Sequence, residues 1–139
     1  MKNVAKNDLR RGRSCVYLLH AHLVFVTKYR RKVFEGAHLE GMKEIFDRVC
    51  GDFEVVLRAF NGEVDHIYLL VNYPPKVAIS KLVNSLKGVS SRLLKLLFPG
   101  LEACYWKGSL WSPSYFAGSC GGAPLSVVRS YIEGEATPV

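Results

Sequence analysis

The amino-acid sequence predicts an α+β fold, in which an antiparallel sheet carries two helices on one face in the ferredoxin-like or RRM-like arrangement. Two observations lead to this prediction: the hydrophobic patterns follow the order β-α-β-β-α-β, and 49% of the residues are hydrophobic, as a packed core requires. With 139 residues, the chain is long enough for one such domain and too short for two. We therefore expect a single domain over residues 1–139, with a basic arm at 1–14 and a mobile C-terminal helix at 123–139.

The first part of the pattern is a strand followed by a helix. Residues 16–27 form a nearly continuous apolar run rich in β-branched and aromatic side chains, which is typical of a buried strand. A basic turn at 28–32 follows it. Between residues 39 and 50 the apolar positions keep the spacing of a helix that faces a core: Met42, Ile45, Phe46 and Val49.

Two strands come next. Residues 53–60 alternate between apolar and polar side chains, and Asn61-Gly62 is a typical hairpin turn. The second strand covers residues 64–71 and ends before Tyr73-Pro74-Pro75, because proline lacks the amide hydrogen that a sheet needs.

A long helix is predicted over residues 76–97, and Phe98-Pro99-Gly100 ends it. Residues 106–114 are rich in glycine, serine and proline and are predicted to be a loop. Residues 115–119 can then form a short strand, which completes the sheet.

The last predicted helix runs from Pro124 to about Glu133, after a flexible Gly121-Gly122 joint. It carries Tyr131, and Glu135 lies one helical turn beyond. The plainer interpretation is an amphipathic helix whose tyrosine packs on the body of the domain, since aromatic side chains mostly do so. The joint also allows this helix to reach another subunit.

The charge is strongly basic and unevenly distributed. The net charge is +7, with nine lysines or arginines and one acid before residue 33, and five basic residues and no acid between Asp65 and Glu102. Such a distribution indicates a polyanion partner, and we prefer nucleic acid over mere solubilising charge, in which both signs are usually mixed.

The cysteines and the apolar runs indicate a cytoplasmic protein. Its four cysteines include no Cys-x-x-Cys pair, which argues against a zinc site and fits reduced thiols. The apolar runs are far shorter than the roughly 20 residues of a membrane span. The start of the chain has no apolar stretch typical of a signal peptide.

His66 and Tyr68 are the most informative polar pair in the sequence. Side chains two residues apart on a strand share a face, so these two point one way while Ile67, Leu69 and Val71 point the other. An imidazole and a phenol on so apolar a strand need a partner, which could be a buried hydrogen bond, a metal or a substrate phosphate. A histidine satisfied by Asp65 or by the backbone is the plainer alternative.

Five blocks of the chain resemble one family, the single-tyrosine transposases of small bacterial insertion sequences. The strand Asp65-His66-Ile67-Tyr68-Leu69-Leu70-Val71 resembles their HUH motif, in which two histidines flank an apolar residue. The other blocks resemble their first strand with its basic turn, their long helix, their last strand and the helix of their nucleophile: residues 22–31, 86–92, 110–116 and 127–133.

The resemblance implies cleavage and rejoining of single-stranded DNA. A tyrosine attacks a phosphate and forms a 5′-phosphotyrosine, while a divalent metal held by the two histidines and a glutamine polarises that phosphate. Members recognise DNA hairpins and form dimers in which the tyrosine helix of one subunit completes the site of the other.

Carried over to this chain, the resemblance gives each of several residues a role. Tyr131 is the expected nucleophile, and His66 and Glu135 are the expected ligands of Mg²⁺ or Mn²⁺. The residues expected to hold DNA phosphates are Lys28, Arg30, Arg31, Lys87 and Arg92.

The chain departs from the family at two positions. Glu135 replaces the glutamine, and a carboxylate is a good ligand for a hard cation. Tyr68 replaces the second histidine, and a neutral phenol is a doubtful ligand. His20 or His22, if it lies near His66, could stand in for the missing imidazole.

Two other functions therefore remain open. The chain could be a DNA-hairpin-binding relative that kept the fold and the dimer but lost catalysis with its metal site. An RNA-binding sandwich of similar topology is disfavoured, because its strands lack the pair of exposed aromatic residues that such domains use.

Overall fold

A computed structural model describes residues 9–105, 107–119 and 125–134 of the chain. Its strands are β1 (Arg10–Gly12), β2 (Cys15–Tyr17), β3 (His20–Val26), β4 (Val56–Gly62), β5 (His66–Asn72) and β6 (Phe116–Ser119). Its helices are α1 (Gly36–Asp52), α2 (Ile79–Leu97) and α3 (Leu125–Gly134), with 3₁₀ turns at Lys28–Arg30 and Leu101–Cys104.

Four strands form the main sheet, in the order β4-β5-β3-β6, and each neighbouring pair is antiparallel. With β3 as the first strand of the β-α-β-β-α-β pattern, this is the ferredoxin-like strand order. The predicted fold class is therefore confirmed.

The main core lies between one face of this sheet and the helices α1 and α2. Alternation along β3 and β5 sends Phe25, Ile67 and Leu69 into that core, where they are fully buried. Burying one such side chain stabilises the fold by about 1.5–3 kcal/mol. The helices supply the matching apolar stripe, which includes Phe46 of α1 and Leu86 of α2.

The opposite face of the sheet carries a smaller apolar cluster. Val24 and Val26 of β3 are buried there against Val128 of α3. Further side chains pack against the cluster: Tyr68, Phe116, Tyr131 and Ile132. Helix α3 therefore lies on the face of the sheet that α1 and α2 leave uncovered.

The N-terminal part differs from the prediction. Residues 16–27 are not one strand, because β2 and β3 are separate, and part of the expected basic arm forms the hairpin β1–β2. The guanidinium of Arg10 fixes this hairpin by donating to Oδ1 of Asn72 at 2.7 Å and to the carbonyl of Glu54 at 2.8 Å. These partners are distant in sequence, so local pattern alone could not predict the hairpin.

Asn61-Gly62 is not the turn that the sequence predicts. Asn61 pairs with Tyr68 and Gly62 with Ile67, so both belong to β4 and the turn follows them. Gly62 lies close to α1, where a Cβ atom at residue 62 would meet the flexible end of the Leu39 side chain. The local dipeptide signal therefore did not predict where the turn lies.

The C-terminal segment is only partly described. Helix α3 agrees with the predicted last helix, whereas the Gly121-Gly122 joint and Glu135 lie outside the described residues. Within the described ranges, no helix has both the length and the apolar character needed to cross a membrane.

Candidate active site

The candidate site lies on the face of the sheet that α3 covers. Alternation along β5 buries Ile67 in the main core and turns the half-buried His66 and Tyr68 to the opposite face, as the sequence predicts. The antiparallel register pairs His66 with Val26 and Tyr68 with Val24 of β3. The two polar side chains thus border the apolar cluster under α3.

A carboxylate orients His66. Oδ1 of Asp65 lies 2.8 Å from Nδ1 of His66, and Oδ2 of Asp65 accepts a hydrogen bond from Nε of Arg30, also at 2.8 Å. Asp65 is buried, so both interactions are partly shielded from water. This arrangement fixes the imidazole and leaves its Nε2 as the nitrogen that can act as a ligand.

His22 is the partner of Tyr68. A hydrogen bond joins Nδ1 of His22 to the Tyr68 hydroxyl, across the β3–β5 pair. Burial lowers the pKa of His22, with a further lowering by His20, which favours the neutral imidazole. His22 therefore does approach the HUH-like strand, but it contacts Tyr68.

His20 lies at the other end of the sheet from His66. It pairs with Asn72, six residues along β5 from His66, which corresponds to about 20 Å of strand. Its Nε2 lies 3.3 Å from the side-chain nitrogen of Asn72. The idea that His20 replaces a ligand beside His66 is therefore wrong.

Tyr131 reaches the same face from α3. Its ring lies 6.0 Å from that of Phe116, and its hydroxyl lies 2.6 Å from Oγ of Ser114. Because Phe116 pairs with Val24 of β3, Tyr131 lies above the middle of the sheet. The loop before Ser114 also meets β3, since the amide of Ser112 donates to the carbonyl of Val26 at 2.8 Å.

The donor set for a divalent metal is only partly visible. His66 fits a ligand, because Asp65 holds its other ring nitrogen. Among the described residues, however, no group of three His, Cys, Asp or Glu side chains could hold a metal ion. Glu135, the other expected ligand, lies outside the described residues, so its role stays a prediction.

The five cations expected to bind DNA have different surroundings. Arg30 bonds Asp65, and Nζ of Lys28 lies 5.1 Å from the centre of the Tyr29 ring. Arg31, directly after the 3₁₀ turn, and Arg92 on α2 are exposed. Lys87 instead donates to the carbonyls of Ser112 and Ser114, at 2.7 and 2.6 Å. A phosphate contact of Lys87 stays a prediction.

Sequence reasoning did not identify Ser114 or the carbonyl contacts of Lys87. The sequence indicates these contacts only indirectly, through a loop rich in small polar residues just before the last strand. Which of its side chains meets Tyr131 depends on how α3 docks, and no local pattern encodes that.

Comparison with known proteins gives one consistent family. Residues 15–135 match the model of the family described as "Transposase IS200 like". The ISDra2 transposase TnpA of Deinococcus radiodurans is 31% identical over 128 residues, which cover 92% of this chain and 91% of that protein. The transposase for insertion sequence element IS200 of Salmonella typhimurium is 32% identical over 112 residues, covering 81% and 73%.

Solved structures show the same fold. The crystal structure of a Deinococcus radiodurans R1 protein, assigned as a transposase, superimposes with a TM-score of 0.83 and 31% identity, covering 93% of this chain and 99% of that one. A REP-associated tyrosine transposase bound to a REP hairpin superimposes with a TM-score of 0.55 and 14% identity, covering 96% and 69%.

Proposed function

Because the chain belongs to the family of IS200-like transposases, we propose that it cleaves and rejoins single-stranded DNA beside a hairpin, with Tyr131 as the nucleophile. One observation carries the proposal. Tyr131 and Tyr68 pack against the same apolar cluster, and Tyr68 is two residues from His66 on β5. A phenol that can attack and an imidazole that can bind a metal thus share one face of the sheet.

The proposed reaction exchanges one phosphate ester for another. The Tyr131 oxygen attacks the scissile phosphorus and loses its proton to water, while the bond from phosphorus to the 3′ oxygen breaks. The 3′ oxygen takes up a proton and leaves as a 3′-hydroxyl, and the 5′ phosphate stays on Tyr131. A 3′-hydroxyl that later attacks this phosphotyrosine restores a phosphodiester, so the reaction needs no external energy source.

A phenol with a pKa near 10 is a weak nucleophile at neutral pH, so charge on the phosphate must be stabilised. Nε2 of His66 and the carboxylate of Glu135 would hold Mg²⁺ or Mn²⁺, which polarises the phosphate when bound. Tyr68 as a further ligand stays a prediction. Its bond to His22 supports a different role, in which the pair keeps the phenol fixed beside the phosphate.

Hairpin DNA is the proposed partner. The net charge of +7 supports a polyanion, and a relative with the same fold was solved with a hairpin bound. Lys28, Arg30 and Arg31 form a basic turn that begins directly after Thr27, which itself follows β3. Since Arg30 bonds Asp65, this turn connects phosphate binding to the carboxylate that orients His66.

The test is formation of a covalent adduct. Protein is incubated with a labelled single-stranded oligonucleotide that contains a hairpin, with Mn²⁺, and a denaturing gel is examined for a labelled protein band. We expect a band from the wild type that is absent from Tyr131→Phe. Absence of an adduct from the wild type, under conditions in which the oligonucleotide is bound, contradicts the proposed reaction.

The second candidate is a hairpin-binding relative without catalysis. The His22–Tyr68 contact favours it, because the residue at the second histidine position is engaged by the protein itself. Tight hairpin binding with no adduct, from the wild type and from Tyr68→His alike, supports this candidate. An adduct from Tyr68→His alone indicates that the ligand at residue 68 is the missing part.

The predicted homodimer, in which α3 serves the site of the other subunit, stays a proposal. Within one chain, α3 already packs on the face that carries His66. Mixing Tyr131→Phe with His66→Ala separates the two arrangements. Recovery of adduct in the mixture indicates that Tyr131 acts in trans, whereas no recovery indicates action in cis.

A further inference from the structure

Lys87 attaches a loop to the long helix. From the middle of α2, its ammonium donates to the carbonyls of Ser112 and Ser114, at 2.7 and 2.6 Å. The same ammonium lies 5.5 Å from the centre of the Phe25 ring and 5.7 Å from that of Tyr115. Bonds to a charged donor are roughly twice as strong as neutral ones, so this part of the loop is firmly held.

A second connection fixes the start of the same loop. Nε1 of Trp111 donates to Oγ of Ser90 on α2 at 3.1 Å, and both residues are buried. The amide of Ser112 donates to the carbonyl of Val26. The loop is thus held by α2 on one side and by β3 on the other.

The side chain of Ser114 connects this firmly held loop to Tyr131. Its hydroxyl lies 2.6 Å from the Tyr131 hydroxyl, a normal distance for a bond between two hydroxyl groups. The Tyr131 ring also touches Phe116, two residues after Ser114. One short segment therefore contacts both the ring and the oxygen of the tyrosine.

We propose that Ser114 is a positioning residue for the Tyr131 hydroxyl, and that Lys87 acts on Tyr131 through the loop it holds. The inference rests on the proposed role of Tyr131 as nucleophile. Attack on phosphorus requires the oxygen within about 3–3.5 Å and correctly aligned, and a misplacement of about 1 Å can slow a reaction about 100-fold. The bond to Ser114 restricts the positions that the hydroxyl samples before DNA arrives.

This role differs from the DNA contact expected of Lys87 on sequence grounds. A lysine that binds a phosphate contributes to the affinity for DNA. It also adds about 0.7 to the slope of log affinity against log salt concentration for a single strand. A lysine that holds the loop changes the rate of the covalent step at saturating DNA. Loss of the Lys87 ammonium should therefore weaken DNA binding if the lysine contacts a phosphate. It should slow adduct formation without weakening DNA binding if the lysine holds the loop.

Four variants test the proposal. Ser114→Ala removes the hydroxyl, and Ser114→Thr restores one. Lys87→Met removes the ammonium but keeps an apolar stem, and Lys81→Met is the matched control from an exposed position on the same helix. Each is compared with the wild type for hairpin-oligonucleotide affinity and for the rate of adduct formation at saturating oligonucleotide with Mn²⁺.

We expect Ser114→Ala to slow adduct formation at least tenfold without changing affinity, with most of the rate recovered in Ser114→Thr. Lys87→Met should slow the reaction similarly at unchanged affinity, and Lys81→Met should match the wild type. Adduct formation at the wild-type rate in Ser114→Ala overturns the role of Ser114. Weaker binding with a reduced salt slope in Lys87→Met assigns Lys87 to DNA instead.

A readout without DNA keeps the proposal testable if the wild type forms no adduct. 3-Fluorotyrosine placed at residue 131 gives one ¹⁹F resonance that reports the surroundings of the hydroxyl. We expect this resonance to move in Ser114→Ala and in Lys87→Met but not in Lys81→Met. An unmoved resonance in Ser114→Ala overturns the contact itself, whereas a moved one with no adduct contradicts only the proposed reaction.

Discussion

The hydroxyl of Tyr68 and Nδ1 of His22 share a hydrogen bond across two neighbouring strands of the sheet. His22 is buried, and the family-like strand has Tyr68 where a second metal-binding histidine is expected. Tyr68 therefore has a specific partner within the protein. Four predictions follow from the geometry around this face and from one buried phenol elsewhere.

The His22–Tyr68 bond should appear as a coupling energy. In Tyr68→Phe the buried imidazole loses a partner, and in His22→Leu the phenol does, so each single variant should lose about 1–3 kcal/mol of unfolding free energy. The double variant loses the bond only once. A double-mutant cycle by urea unfolding should give a coupling of about 1–2 kcal/mol. Strict additivity of the two losses contradicts a direct bond.

Tyr68→His should strengthen metal binding. A neutral phenol is a poor ligand, whereas a second imidazole beside His66 supplies a donor that suits Mn²⁺ better. We expect affinity for Mn²⁺, measured by calorimetry without DNA, to rise about tenfold or more, since changes to the partners of metal ligands already alter metal affinity about 10–100-fold. Tyr68→Phe is the control and should bind no better than the wild type. Equal affinity of all three proteins shows that residue 68 does not face the metal.

Asp65→Asn should weaken both hydrogen bonds of Asp65, the one with Arg30 and the one with His66. The amide cannot accept from Arg30 with full charge, and it no longer fixes the imidazole of His66. We expect a loss of about 1–3 kcal/mol in unfolding free energy, together with weaker binding of Mn²⁺. Arg30→Lys tests the bond between Arg30 and Asp65, and it should affect the free energy of unfolding more than the affinity for Mn²⁺. A metal affinity unchanged by Asp65→Asn contradicts the orienting role.

Tyr105 should make stability fall at alkaline pH. Burial raises its pKa to about 12, against the lowering effect of a hydrogen bond from the Ser91 side chain and with a smaller rise from Glu102. Because the folded value lies above the ordinary value of about 10, this stabilisation is complete below pH 10 and is lost as the pH rises to about 12.

Tyr105→Phe has no such ionisation and loses only the bond to Ser91. At pH 8 the variant should be less stable by about 1 kcal/mol in urea unfolding, and between pH 10 and pH 12 this difference from the wild type should shrink and then reverse. A difference that stays constant over this range shows that Tyr105 does not ionise differently in the folded and unfolded chains.

The sequence by itself determined the strand that carries His66, the face that His66 shares with Tyr68, and the fold class. These features follow from local periodicity, because alternation along a strand and spacing along a helix fix which side chains share a face. The resemblance of five blocks added the family, which the comparisons show.

Only the tertiary structure decided which side chains meet. Tyr68 and His22 are 46 residues apart and come together through the register of β3 and β5, while Ser114 meets Tyr131 through the docking of α3. Gly62, which looks like a turn residue, lies within β4 where α1 packs close to the sheet. The physical reason is the same in each case: periodicity fixes the face of an element, but register and docking depend on packing against residues that are distant in sequence.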